Sequence, residues 1–106
     1  MTPDAKRNAL LDMLDKQVFR PAIDTDPRLY SDQTDRKLLA RVKKRVQRTR
    51  MRYQEYPTAS EIAANFLKDL DSKFGQDLAA DMLILKLRRF EDIKQPFLSL
   101  CAQLGV

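Results

Sequence analysis

Residues 31–55, SDQTDRKLLARVKKRVQRTRMRYQE, decide the reading of this chain. They predict one unbroken helix from about Asp32 to about Glu55, with Ser31 as its cap, a rod of about 36 Å. Wound at about 100° per residue, Leu38, Val42, Val46, Thr49 and Tyr53 share a sector of about 80°, which Leu39 widens slightly. Lys37, Arg41, Lys44, Arg45, Arg48 and Arg52 share another sector of about 100°, and Arg36, Lys43 and Arg50 flank the far edge of the apolar stripe. The helix is therefore apolar on one narrow side and cationic over most of the rest.

Upstream, Thr2-Pro3-Asp4 opens a first helix: a cap, a proline at the first helical position and an acid at the positive dipole end. Leu10, Leu11, Leu14 and Val18 give it an apolar face. It is expected to end before Pro21, because the residue preceding a proline avoids helical dihedrals. Residues 20–30 read as a loop pinned to the core by Ile23, Leu29 and Tyr30.

Downstream, Tyr56-Pro57 breaks the pattern and Thr58-Ala59-Ser60-Glu61 restarts it as a capping box. Ile62, Ala63, Phe66, Leu67, Leu70 and Phe74 form a third stripe, which Gly75 is expected to end. A fourth helix from about Gln76 carries Leu78, Ala79, Met82, Leu83, Ile84, Leu85, Leu87, Phe90 and Ile93. Its segment Met82–Leu87 is apolar on nearly every side apart from Lys86, which fits either the centre of a bundle or a contact with a second copy. Phe66 and Leu83 are taken as core residues. Pro96 opens a short last helix bearing Phe97, Leu100, Cys101 and Leu104, with Gly105 as its stop. These elements predict a single all-α domain over residues 1–106, a compact bundle of about five helices whose second is long and strongly basic.

The composition of the 106 residues narrows the chemistry. With no His, the chain lacks the usual general base and the commonest metal ligand. With one Cys, Cys101, it has neither an internal disulfide nor a cysteine-cluster zinc site. Cys101 lies on an apolar stripe with no base to activate it, and reads as a core thiol. Two isolated glycines cannot build a phosphate-cradling loop. Asp24/Asp26 and Asp77/Asp81 lack the spacing of a cation cage, and read as turn and helix-end chemistry. Catalysis is not expected, and neither is a cofactor or a metal.

No run approaches the roughly 20 apolar residues of a membrane span, and no signal-peptide core precedes Asp12. A reducing compartment, the cytoplasm, is the expected location.

Charge is the strongest functional signal. The net charge of +5 conceals a net of −1 over residues 1–27, +8 over 28–54 and −2 over 55–106. Surface helices usually mix signs for i,i+4 pairing, yet no acid occurs between Asp35 and Glu55. Arg outnumbers Lys there, which suits bidentate contacts to phosphate. The expected function is nucleic-acid binding, to DNA or RNA, through Arg36, Lys37, Arg41, Lys44, Arg45, Arg48 and Arg52, with Arg88 and Arg89 as auxiliary contacts. Five or six neutralised phosphates give a salt slope of about 4–6 in log affinity against log salt. Tyr53 continues the apolar stripe and reads as core, whereas Tyr56 is open to stacking on bases. The alternative is a regulatory or adaptor protein that docks the same helix on an acidic protein surface, and a homodimer through Met82–Leu87 is compatible with both. Membrane-surface binding ranks last, because the stripe holds no Trp or Phe. A helix-turn-helix beginning at Thr58 is also weak, since the apolar stripe runs on past the position of its turn.

Overall fold

Thr2 opens the chain's first helix by accepting a hydrogen bond at Oγ1 from the Ala5 N–H, with Pro3 at the first position. A computed structural model describes all 106 residues, and every regular element in it is helical. The helices are α1 (Pro3–Leu14), α2 (Arg20–Ile23), α3 (Gln33–Gln54), α4 (Ala59–Asp71), α5 (Lys73–Ile84) and α6 (Lys94–Leu104). A π-turn, Asp15–Phe19, joins α1 to α2, and 3-10 turns occupy Pro27–Leu29 and Phe90–Ile93.

The helical path that α1 begins does not stop before Pro21, as the proline had suggested. In an α-helix the proline ring collides with the carbonyl four residues back. Here the backbone widens into the π-turn, where the Arg20 N–H reaches the Asp15 carbonyl, and the helical path continues through Pro21 to Ile23. Of the three residues expected to pin the following loop, Ile23 and Tyr30 pack on the core, but Leu29 is exposed.

Helix α3 begins one residue later than expected, because Asp32 and not Ser31 caps it, accepting from the Thr34 N–H at 2.8 Å. Its stripe Leu38, Leu39, Val42, Val46, Thr49 and Tyr53 is buried. The far end is closed by a residue from α1: Arg7 donates to the carbonyls of Tyr56 at 2.6 Å and Gln54 at 2.5 Å. A cation on the carbonyl end of a helix meets both its orphan acceptors and its dipole.

The third stripe splits earlier than Gly75. Ser72 ends α4 and caps α5, its Oγ accepting from the Gly75 N–H at 3.0 Å. Gly75 therefore lies in the first turn of α5, where a Cβ would stand only 1.7 Å from the Asp69 carbonyl oxygen. Its role is close packing, not helix termination, and Phe74 is left exposed at the junction.

Helix α5 ends at Ile84 instead of continuing to Ile93. Lys86 adopts φ 59°, the Lys86 N–H returns to the Leu83 carbonyl and the Leu87 N–H to that of Met82. This is the two-bond left-handed termination that glycine usually provides. The Tyr30 hydroxyl donates to the freed Leu85 carbonyl at 2.5 Å. Met82 and Leu85 are consequently core, whereas Leu83 and Ile84 stand 57% and 60% exposed. Leu83, expected inside, is outside. Gly105, at φ 70°, ends α6 by the same motif.

Packing follows these faces. Helix α1 lies on α4 and α6, α4 on α5, and α3 is held between α2 and the π-turn on one side and α5 on the other. A chain of aromatic rings runs through the centre: Phe19, Tyr53, Phe90, Phe66 and Phe97, with Phe66 and Phe97 stacked at 4.0 Å. Cys101 is buried with them, and burial pushes its thiol pKa up. No helix is long and apolar enough to cross a membrane.

Candidate nucleic-acid interface

Nine cations lie between Arg36 and Arg52, and the fold divides them in two. Five are engaged within the protein. On one edge of α3, Arg36 donates to the Tyr30 carbonyl at 2.6 Å, Lys43 to the Thr25 carbonyl at 2.5 Å and Arg50 to Asp15 at 2.5 Å. On the other edge, Arg45 pairs with Asp81 of α5 at 2.5 Å and Arg52 with Asp69 of α4 at 2.9 Å. The repulsion that nine cations without a local acid would otherwise suffer is thus largely offset by carboxylates and carbonyls from outside the helix. Arg36, Arg45 and Arg52, expected at the interface, instead fasten α3 to the bundle.

Arg52 does so through a network. Its other amino group donates to the Tyr56 hydroxyl at 2.6 Å, while the Tyr53 hydroxyl donates to the same Asp69 oxygen at 2.7 Å. The Arg52 guanidinium also stands over the Tyr53 ring at 5.2 Å. Burial opposes charge on Arg52, but the bonds to Asp69 and Tyr56 outweigh it and raise its pKa. The Tyr53 hydroxyl is pushed far up, first by burial and then by its bond to Asp69. The Tyr56 ring meets Tyr53 edge-on at 5.3 Å. Neither tyrosine is therefore presented for stacking, which corrects the open reading of Tyr56.

The auxiliary residues are also engaged. Arg89 bonds to Asp92 and Glu91 and holds the 3-10 turn, and exposed Arg88 donates to Gln17.

Lys37, Arg41, Lys44 and Arg48 remain, all exposed and without a partner in the fold. At about 100° per residue they occupy a sector of only about 60°, nearly opposite the buried stripe, in a row about 16 Å long. The exposed residues beside them, Ala40, Gln47 and Met51, carry no charge. Like charges at i,i+3 and i,i+4 repel by about 0.2–0.5 kcal/mol per pair. The row therefore keeps a modest repulsion.

Sequence reasoning missed Arg7, Asp15 and Asp69 as partners of α3. Asp69 left a trace: it stands three residues after Phe66 and seven after Ile62, an acid on a buried face. Asp81 and Asp77, read together as a pair on one face, part company, since Asp77 bonds to Lys73 at 2.9 Å. Comparison with protein-family models, curated proteins and solved structures returns no match.

Proposed function

We propose that this protein binds nucleic acid through the row Lys37, Arg41, Lys44 and Arg48. The supporting observation is the division of the nine cations: five are used internally, and the four that are not share one strip with no acid on it. Its mechanism is phosphate neutralisation with release of counterions. Four free cations lower the salt slope from the 4–6 expected above to about 3.6 on a duplex and about 2.8 on a single strand.

The deciding experiment is fluorescence anisotropy with mixed-sequence DNA and RNA near 150 mM salt, on the natural chain and on the variant with all four residues changed to Glu. The natural chain is expected to bind with a dissociation constant of about 10–100 μM, in the range of sequence-independent binders. The variant is expected to lose binding while its melting temperature holds or rises. Dissociation constants weaker than about 1 mM for both polymers reject this function.

A second reading, docking on an acidic protein, is favoured by a separate feature. Leu83 and Ile84 stand exposed side by side at the end of α5, apolar groups that a phosphate backbone does not need and that a protein partner or second copy would cover. Sedimentation equilibrium at high micromolar concentration tests the second copy. A mass of one chain rejects the homodimer through Met82–Leu87.

A further inference from the structure

Resting on the nucleic-acid reading, we infer that α3 lies along the outside of one backbone strand of a duplex, not inserted in a groove, and that binding is independent of base sequence. A helix in the major groove sits between two walls of phosphate about 12 Å apart, so it needs cations on both flanks and base-reading groups along its centre. Arg and Lys themselves read guanine edges, so the centre of α3 does not decide the matter and its flanks do. Its flanks carry Arg45 and Arg52 on one side and Arg36, Lys43 and Arg50 on the other, and all five are turned to protein acceptors. Its centre carries the four free cations in one narrow row. Inserted, it would face both phosphate walls with guanidinium and ammonium groups already bonded elsewhere.

A single row matches a single line of phosphates. Each phosphate rises about 3.4 Å along the duplex axis but lies about 7 Å from the next along the winding strand, so the row of about 16 Å faces about two to three phosphates directly and its long side chains reach those on either side. A single-stranded target is disfavoured for a different reason. Such proteins gain affinity by stacking bases on aromatic rings. Here Tyr53 is buried, Tyr56 is packed against it, and the exposed side chains beside the row are Ala40, Gln47 and Met51.

The test uses the full chain and short duplexes that are mixed, all A·T or all G·C, over a salt series that begins at about 50 mM. Affinities are expected to agree within about threefold, with a slope near 3.6, and Arg41→Ala is expected to weaken all three alike and lower the slope by about 1. At saturating protein, dimethyl sulfate should still methylate guanine N7, which lies in the major groove. Protection of N7, a preference of about tenfold or more among the duplexes, or tighter binding to the single strand overturns this inference while leaving nucleic-acid binding intact. Failure to bind any of these polymers overturns the underlying function, and this inference with it.

Discussion

The Tyr53 hydroxyl donates to the Asp69 carboxylate at 2.7 Å inside the core, and the same oxygen receives Arg52 at 2.9 Å from the protein's edge. One acid thus ties α3 to α4 through a neutral and a charged donor. Tyr53→Phe removes only the neutral donor and should cost about 1.5 kcal/mol, the low end for a hydrogen bond to a charged group. Asp69→Ala strands both donors and should cost more, about 2 kcal/mol, less than a fully buried pair because Arg52 is partly exposed. Urea unfolding at neutral pH measures both. Equal losses would show that the Arg52 contact adds nothing.

Gly75→Ala tests the α4–α5 junction. In an ordinary helix this change stabilises by about 0.5–1 kcal/mol. Here the new methyl meets a backbone carbonyl, which cannot rotate away, so α4 and α5 must separate. A loss of about 2–3 kcal/mol is expected, and a rise in melting temperature contradicts the packing described.

Phe66→Asp and Leu83→Asp should now part company. Phe66 is fully buried between Phe90 and Phe97, so the charge is left unpaired in the core and the cooperative melt should disappear. Leu83 is exposed, and its change should move stability by no more than about 0.5 kcal/mol. Thermal melts followed by circular dichroism separate them, and a collapse of both would place Leu83 back in the core.

The acid side of the pH dependence includes Asp26, bonded by Arg28, and Asp92. Hydrogen bonds from the Arg89 side chain and backbone N–H hold the Asp92 carboxyl below the usual carboxylate range. The folded state thus binds this proton more weakly than the unfolded chain, whose value lies near 3.9. The resulting stability is present above that pH and is lost as pH falls through the lower folded value. Asp92→Asn should make this acid limb shallower, with the share of Asp26 remaining. A limb of unchanged slope in chemical denaturation below about pH 4 rejects the assignment.

The all-α class, the long basic helix and most of the core were legible in the sequence because they depend on local periodicity. Leu38, Val42, Val46 and Tyr53 repeat at helical spacing, and that spacing needs one buried side wherever the partner comes from. Helix ends were less legible where an unusual residue performed a familiar task. Lys86 occupies the left-handed position that glycine normally fills, and Pro21 is carried inside a helix by a π-turn.

Which cations are free was decided only by tertiary structure. Lys44 and Arg45 are neighbours of like charge in the sequence, and nothing local distinguishes them. Asp81, thirty-six residues beyond Arg45, pairs with it and leaves Lys44 in solvent. The sequence alone determined that residues 36–52 carry a strong positive charge, since charge is a sum over residues. The direction of that charge depends on acids brought close by the packing of the π-turn, α4 and α5, because an ion pair forms at a distance in space and not at a spacing along the chain.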